Sequence, residues 1–326
     1  MFGFFYLGHN NARKEMYMKY NEWLLEWLVS YEKPSRKSRT YTKYKDIVEK
    51  RLIPHFGDYE LTEITPLMVQ RYIAELTESG NQKTGEGLSS NSINSIISVI
   101  QKSMNTAYLV GYVDTYDMNK IKRPKTEESP VECFTLEEQR RIELAVMQDK
   151  RAKMKGIVLC LYTGLRIGEL LALEWDDIDF QKGILSVTRS CHDGKDENGK
   201  YCRITEAPKT SKSRRDIPIP KQIIPMLKDM KKASATALVI SDGMKVPSVR
   251  AYQGSFALFL KKHGIPHRGF HSLRHTFATR AIECGMDVKT LSEVLGHKNA
   301  TVTLNRYVHS MMEHKKAMMN KLGKLF

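Results

Sequence analysis

Arginine and histidine residues in the second half of the chain have a spacing that suits chemistry on a phosphate group. His271 and Arg274 lie three positions apart at the start of the apolar stretch HSLRHTFATRAIECG. A helix there would place an imidazole and a guanidinium on one face. A guanidinium can hold a phosphate through two parallel hydrogen bonds, and an imidazole can donate to it or move a proton. These two residues are therefore candidates for a site that binds or attacks a phosphate.

Two further groups of residues add to this pair. Arg166 lies in TGLRIGEL, a glycine-containing turn into a helix, where Glu169 is one turn further on and could brace it. His297 follows a glycine in LGHKN, and Tyr307 follows it ten residues later in TVTLNRYVH. Each has an ordinary explanation when taken singly: Arg166 as a surface ion pair, His297 as a helix cap and Tyr307 as a half-buried anchor. Their chemistry becomes specific only in combination.

Metal and nucleotide sites find less support in the sequence. Cys191, His192 and Cys202 flank an expected hairpin loop, and thiolate and imidazole ligands suit zinc. A zinc site needs four ligands at a recognisable spacing, however, and no CxxC pair is present, so structural cysteines are favoured. The stretch YTGLR lacks the GxxxxGK[ST] spacing of a phosphate-binding loop, so nothing indicates ATP use. The sequence therefore predicts neither a metal nor a cofactor.

The cysteines and the hydropathy bear on where the protein works. Its five cysteines are odd in number and have no close pairs, which is typical of a reducing, cytoplasmic setting. No apolar stretch approaches the ~20 residues that cross a bilayer, and no secretory signal is recognisable. We therefore expect a cytoplasmic protein with no membrane partner.

The positive charge of the chain is concentrated in its second half. The 326 residues carry 52 Lys and Arg against 37 Asp and Glu, a net charge of +15. Residues 1–132 hold 18 basic and 17 acidic side chains, whereas residues 133–326 hold 34 and 20. An excess of +14 in one half indicates a polyanionic partner, and nucleic acid is the first candidate.

Apolar periodicity predicts an all-α domain over residues 13–117, after an N-terminal extension over 1–12. On the first helix Tyr20, Trp23 and Trp27 fall on one stripe. Four helices are expected, over 13–32, 36–52 (ending before Pro54), 66–76 and 91–109. The charged segment 118–132, which contains KIKRPKTEESP, predicts a linker between domains.

Residues 133–326 predict a mixed domain. Thr135 and Glu138 have the spacing of a reciprocal helix N-cap. Helices are expected over 136–148, over 151–163, after Arg166, near Lys221 and from Ser248 onward. Strands are expected over 184–189, 201–206 and 214–219, with a loop over 193–200. The fold class is thus mainly α with a small antiparallel β-sheet (α+β).

Four motifs, in order along the chain, resemble those of the tyrosine recombinase (phage integrase) family: TGLRIGEL, PKTSKSRRDIPIP, GFHSLRHTFAT and LGHKNATVTLNRYVH. The resemblance covers residues 133–326 and implies a catalytic domain with a C-terminal tail over 309–326. The preceding helices resemble the four-helix core-binding domain of the family. The implied catalytic residues are Arg166, Lys209, His271, Arg274, His297 and Tyr307. Lys212, three residues from Lys209, stays open as the alternative lysine of the hairpin.

This resemblance implies a site-specific DNA recombinase that needs neither ATP nor metal. Tyr307 would cut a strand, leaving a 3′-phosphotyrosine and a free 5′-hydroxyl, and the strands would exchange through a Holliday junction before resealing. A tyrosine with a pKa of ~10 is a weak nucleophile, so it needs arginines that stabilise the phosphorane and a lysine and histidines that move protons. The motifs are most similar to those of integrases of prophages and conjugative transposons.

The implied partners are double-stranded DNA carrying recombination sites and further copies of the chain, joined as a tetramer through the C-terminal tail. An accessory excision factor is a further partner that the family admits, and the protein would work on the nucleoid. Three alternatives stay open: a chromosome-dimer resolvase of the same family, an enzyme like the type IB topoisomerases, and a DNA-binding regulator without catalysis. The regulator would predict a missing arginine or tyrosine, and both are present. Only a dozen residues precede the first helix, where such integrases often carry an arm-binding domain, so we expect either simple sites or a start further upstream.

Overall fold

The computed structural model describes residues 18–36, 38–126, 132–195, 200–206 and 214–297, and positions 299, 301, 303, 316, 319, 320 and 323. The chain divides into two compact units, Met1–Glu128 and Ser129–Phe326. Helices dominate the described residues and the strands form small antiparallel sheets, which confirms the predicted fold class. No helix in this part of the chain is both long and apolar enough to cross a membrane.

The described residues of the first unit contain four α-helical segments and two 3₁₀ turns, Leu61–Glu63 and Met118–Lys120. The first segment is α1 (Tyr20–Trp27), a π-helical turn (Leu28–Glu32) and α2 (Lys33–Ser35). The second is α3 (Ser38–Ile47), a π-helical turn (Val48–Leu52) and α4 (Ile53–Phe56). The last two segments are α5 (Pro66–Ser79) and α6 (Ser90–Leu109).

The second segment passes through a proline at which we expected it to end. Pro54 lies just after a π-helical turn in which the N–H of Ile53 donates to the carbonyl of Val48, five residues back. Proline has no N–H and its ring crowds the carbonyl four residues earlier, and a wider turn relieves both problems. The turn before Pro34 is built in the same way. The prediction that the helix ends before Pro54 is therefore wrong, because it runs on to Phe56.

The apolar stripe predicted on the first helix lies in the core of the first unit. Trp23 and Trp27 are fully buried, and their indole N–H groups donate to the carbonyl of Ser103 and to the hydroxyl of Thr106 at 3.1 and 3.2 Å. Both acceptors belong to α6, whose own predicted stripe is also buried: Ile93, Ile96, Ile97, Ile100 and Met104. The two helices therefore pack through the faces that their spacing predicted.

The second unit contains seven α-helices among its described residues: α7 (Leu136–Gln148), α8 (Gly156–Thr163), α9 (Ile167–Ala172), α10 (Ile224–Lys232), α11 (Val249–Lys262), α12 (His271–Glu283) and α13 (Val288–Leu295). The predicted cap of α7 is present. The Thr135 hydroxyl accepts from the N–H of Glu138 at 3.1 Å, and the Glu138 carboxylate accepts from the N–H of Thr135 at 2.8 Å. The helix expected over 151–163 begins later, because Ala152–Lys155 forms a 3₁₀ turn before α8.

Within the described residues the strands form two sheets, where one was predicted. The first has the order β1-β2-β5, from β1 (Ile178–Asp179), β2 (Ile184–Val187) and β5 (Arg215–Pro218). The second pairs β3 (Ser190–Lys195) with β4 (Tyr201–Glu206), and all pairs are antiparallel.

The loop predicted over 193–200 is partly strand, because β3 extends to Lys195. Asp193 pairs with Arg203 across the hairpin. The Asp193 carboxylate also accepts from the N–H groups of Val249 and Arg250 at 2.9 and 2.8 Å, which caps the start of α11. These long-range contacts hold as strand a sequence whose Asp-Gly pair favours a turn.

Candidate active site

Helix α12 brings together the two residues that the sequence paired. His271 is its first residue and is exposed, with its ring 4.6 Å from the ring of His275, edge to face. Arg274, one turn on, is 1% exposed. Burying a guanidinium is costly unless its donors are paired. Its Nη1 donates to the carbonyl of Gly164 at 2.7 Å, and its Nη2 to that of Leu295 at 2.6 Å.

Gly164 makes this arrangement possible. It ends α8 in the left-handed conformation, with a φ of +64°. A Cβ at this position would lie 2.5 Å from the ring of Phe277 and 2.8 Å from the side chain of Leu295. Glycine is therefore needed both for the turn and for the close approach of α12 and α13. The turn leaves the Gly164 carbonyl facing Arg274.

Arg166 is the residue before α9, and Glu169 braces it as expected. The Arg166 Nη1 donates to Oε1 of Glu169 at 2.7 Å, and its backbone N–H donates to Oε2 at 2.9 Å. The Arg166 Nη2 donates to the carbonyl of Gly296 at 3.2 Å. The Arg166 side chain is 37% exposed, so this arginine is open to a ligand from solvent.

A third arginine, which sequence reasoning did not single out, completes the cluster. Arg215 lies at the start of β5, and its Nη1 and Nη2 donate to the Glu169 carboxylate at 3.1 and 2.9 Å. Its Nε donates to the carbonyl of Val294 at 2.6 Å. The signal available in the sequence was the period of the strand, which places Arg215 on the same face as the buried Ile217 and its neighbour Arg214 outside it.

The Glu169 carboxylate is the negative centre of the cluster. Burial raises the pKa of this carboxyl, but the hydrogen bonds and charge of Arg215, together with the charge of Arg166, outweigh burial and hold the pKa at about 2. Glu169 is therefore ionised at any working pH. The cluster thus contains a charged acceptor against which two guanidinium groups are aligned.

All three arginines meet at the carboxyl end of α13. The carbonyls of residues 294, 295 and 296 accept from Arg215, Arg274 and Arg166 respectively. The last carbonyls of a helix have no partner within it and carry the negative end of its dipole. Gly296, with a φ of +63°, ends the helix in the left-handed conformation. One helix end therefore aligns three cations from three different elements.

His297 follows this helix end directly. Its Nδ1 lies 2.7 Å from the hydroxyl of Thr303, which is buried. The histidine is thus tied to the stretch that leads toward Tyr307. Lys209, Lys212 and Tyr307 lie outside the described residues, as does most of the segment over 309–326. Of the sequence-derived candidates, the structure groups Arg166, Arg274 and His297 around α13, with His271 on the helix that carries Arg274.

The cysteines considered for zinc lie at different levels of one hairpin. Cys191 on β3 faces Thr205, and Cys202 on β4 faces Gly194. Within the described residues, no three His, Cys, Asp or Glu side chains are grouped so that they could hold a metal ion.

Comparison with known proteins places this geometry in context. A family model described as the phage integrase family matches residues 135–314, and one described as the phage integrase N-terminal SAM-like domain matches residues 19–77. The chain is 32% identical to a tyrosine recombinase XerC-like protein of Caldanaerobacter subterraneus subsp. tengcongensis, over 92% of this chain and 81% of the relative. It is 26% identical to the ICEBs1 integrase of Bacillus subtilis, over 96% and 85%.

Solved structures share the fold at lower sequence identity. The Tn1549 transposon integrase in complex with transposon right end DNA aligns with a TM-score of 0.77 at 21% identity, over 94% of this chain and all of that one (100%). A lambda integrase tetramer bound to a Holliday junction aligns with a TM-score of 0.68 at 20% identity, over 90% and 78%.

Proposed function

The chain belongs to the phage integrase family and is a site-specific tyrosine recombinase of the kind that mobile elements carry, and we propose that Tyr307 is the nucleophile with which it cuts and rejoins DNA. The phenolic oxygen attacks the scissile phosphorus while the bond to the 5′-oxygen breaks. The product is a 3′-phosphotyrosine and a free 5′-hydroxyl. Attack by the 5′-hydroxyl of another strand reverses the step, and exchange proceeds through a Holliday junction. Bond energy is conserved, so neither ATP nor a metal is required.

The arginine cluster at the end of α13 is the observation that carries this proposal. Arg166 and Arg274 are each held by two hydrogen bonds to carbonyl or carboxylate oxygens, so their planes are set before DNA binds. In the transition state the nonbridging oxygens gain negative charge. Cations that are already oriented stabilise this charge without reorganisation. Both arginines therefore act on the phosphorane in our proposal.

Proton transfer falls to the remaining candidates. Lys209 protonates the departing 5′-oxygen, with Lys212 as the alternative lysine, and His271 and His297 assist the transfer at the phosphate and at Tyr307. Support comes from the position of His297, which follows the helix end that aligns the arginines.

The two parts of the chain divide the work on DNA. We assign residues 13–117 to a core-binding domain, 118–132 to a linker and 133–326 to the catalytic domain. The +14 charge of the latter supports phosphate contacts, which fix the position of the protein on DNA and carry no sequence information themselves. Such an enzyme works where its DNA is, on the bacterial nucleoid in the cytoplasm, with an accessory excision factor as a further partner.

The segment over 309–326 is the proposed link between protomers. It begins two residues after Tyr307 and contains Met311, Met312, Met318, Met319, Leu322 and Phe326, which suit adaptable apolar contacts. Docking into a neighbouring protomer would build a tetramer on two duplexes and couple the active sites. Truncation after Ser310 should leave binding to a single site unchanged and weaken synapsis and recombination. Light scattering on DNA-bound protein measures this, and an equal tetramer yield from the truncated chain would contradict it.

Replacement of the nucleophile tests the chemistry. Tyr307→Phe should bind DNA normally but form no covalent adduct with a substrate nicked near the cut site, because only the phenolic oxygen is removed. Tyr252→Phe is the matched control, since Tyr252 is 1% exposed and its hydroxyl donates to the carbonyl of Lys153 at 2.6 Å. This control should form the adduct. An adduct formed by Tyr307→Phe would assign the nucleophile elsewhere.

A further inference from the structure

Arg215 is buried, and the proposed mechanism assigns it no step. Its side chain is 6% exposed, and it starts the strand that follows the motif holding Lys209 and Lys212. Taking a guanidinium out of water costs free energy, so a buried arginine is expected to have a structural or positioning role. Its hydrogen bonds lead to Glu169 and to the end of α13, the two features that also hold Arg166.

The Glu169 carboxylate is shared between the two arginines. Its Oε1 accepts from Nη1 of Arg166 at 2.7 Å and from Nη1 of Arg215 at 3.1 Å. Its Oε2 accepts from the backbone N–H of Arg166 and from Nη2 of Arg215, both at 2.9 Å. A two-point pair with a guanidinium fixes the plane of a carboxylate. With that plane fixed by Arg215, the carboxylate sets the direction of the Arg166 guanidinium.

The second anchor of Arg166 also depends on Arg215. Arg166 donates to the carbonyl of Gly296, and a Cβ on Gly296 would lie only 3.0 Å from Cδ and Nη1 of Arg215. The Arg215 side chain therefore packs against the helix end itself. Removing it loosens the helix end as well as Glu169, so both anchors of Arg166 are affected together.

We propose that Arg215 is a positioning residue, which aims the catalytic Arg166 at the scissile phosphate by holding Glu169 and the end of α13 in register with β5. This inference rests on the proposed function, because the direction of Arg166 matters only if Arg166 contacts the phosphate. It also connects Arg166 with the segment of the proposed catalytic lysine, since β5 continues directly from that segment. Arg215 itself touches no reacting atom in this account.

Three variants separate positioning from charge and from folding. Arg215→Ala should lower the rate of covalent adduct formation at saturating DNA by roughly 10- to 100-fold, the range expected for loss of charge-assisted hydrogen bonds. Arg215→Lys should restore part of the rate, since an ammonium keeps the charge but cannot form the two-point pair. Arg214→Ala is the matched control: it removes the same charge from the exposed neighbour and should stay within about threefold of the unmodified protein at saturating DNA and physiological ionic strength, where an exposed charge is screened.

The dependence of the rate on pH is the readout that a merely structural role would not move. Among the described residues, the titratable groups that interact with Glu169 are Arg166, Arg215 and the thiol of Cys160. This thiol stays neutral because burial and the Glu169 charge raise its pKa. In the unmodified protein the pKa of Glu169 is about 2, so this carboxyl adds no step to the profile above pH 5. Without Arg215, burial raises the pKa of Glu169 with less opposition. The Arg215→Ala rate should then fall further as the pH decreases from 8 to 5.

A double-mutant cycle completes the experiment. Glu169→Gln mimics the protonated carboxyl, so its rate should be low and should not show the further fall between pH 8 and 5 that Arg215→Ala shows. Adding Arg215→Ala to Glu169→Gln should lower the rate by less than about threefold. Normal adduct formation by Arg215→Ala overturns the inference. The inference is also overturned if Arg215→Ala lowers the rate by the same factor at every pH and its effect is fully additive with that of Glu169→Gln. Failure of the proposed function gives a different result: Tyr307→Phe would then form an adduct, whichever residue occupies position 215.

Discussion

The two units of the protein use their buried interiors differently. The described core of the first unit is aromatic and aliphatic, built around Trp23 and Trp27, and its buried polar residues are Glu32 and Ser103. The second unit buries charge at its functional centre, where Arg274 and the Glu169–Arg215 pair lie against the end of α13. Apolar burial supplies stability without direction, whereas hydrogen-bonded charges fix where a group points. We therefore expect the apolar core of the first unit to affect mainly stability, and the buried charges of the second unit to affect the geometry of the proposed site as well as stability.

Arg274→Ala should have the largest effect on cleavage of the variants in the buried charged cluster. We expect adduct formation to fall by a factor of about 10²–10³, because the proposed mechanism loses an oriented cation at the phosphorane. The carbonyls of Gly164 and Leu295 lose their donor as well, so the free energy of unfolding should fall by about 1–3 kcal/mol. Single-turnover cleavage and thermal denaturation measure the two effects.

Arg280→Ala is the control on the same helix. Arg280 also donates to a backbone carbonyl, that of Phe134 at 3.0 Å, but takes no part in the cluster. It should lose stability without a loss of cleavage rate beyond a few-fold. An equal loss of rate in both variants would show that α12 acts through its stability alone.

Trp23→Ala tests the apolar core of the first unit. It removes a fully buried side chain and a hydrogen bond to Ser103, so the free energy of unfolding of the first unit should fall by about 3–5 kcal/mol. Below its melting temperature, the variant should cleave saturating DNA within about threefold of the unmodified rate. A folded Trp23→Ala protein with abolished cleavage would contradict the division between stability and chemistry. Trp23→Phe retains most of the apolar contact, so its free energy of unfolding should lie between those of the unmodified protein and Trp23→Ala.

The pH dependence of stability sharpens the comparison at Glu169. Arg215 and Arg166 hold its pKa at about 2 against the effect of burial, below the ~4.3 of an unfolded glutamate. Its ionised form therefore stabilises the fold fully above the unfolded pKa, and this contribution is lost as the pH falls toward 2. The difference in unfolding free energy between the unmodified protein and Glu169→Gln should be constant above pH 5.5 and shrink below it. Urea denaturation at several pH values measures this, and a difference that grows on acidification would contradict the assigned pairing.

Chelation should have the smallest effect of all. In the proposed mechanism Arg166, Arg274 and Lys209 supply the cationic charge that a metal would bring to the phosphate, so EDTA should leave adduct formation unchanged. Serine at Cys191 and Cys202 should likewise leave cleavage intact. Loss of activity in EDTA that Mg²⁺ restores would overturn the metal-free mechanism.

The same contrast explains what the sequence could predict. The stripes of α1 and α6 and the cap of α7 were predictable because apolar spacing and capping are local signals. The helix that passes Pro54 and the strand that extends beyond Asp193 were not, because a π-helical turn and a cap on α11 override the local preference. Arg215 escaped notice because its partners lie 46 and 79 positions away in the sequence. Charged networks between distant segments leave no periodic trace.

The most direct test of the whole account is to identify the residue that becomes linked to DNA. Unmodified protein is trapped on a nicked substrate, the DNA is trimmed with nuclease, and the trypsin digest is sequenced by tandem mass spectrometry. We predict a single 3′-phosphonucleotide adduct on the first residue of YVHSMMEHK, which is Tyr307. An adduct on any other residue, or one joined through a 5′-phosphate, would contradict the proposed chemistry.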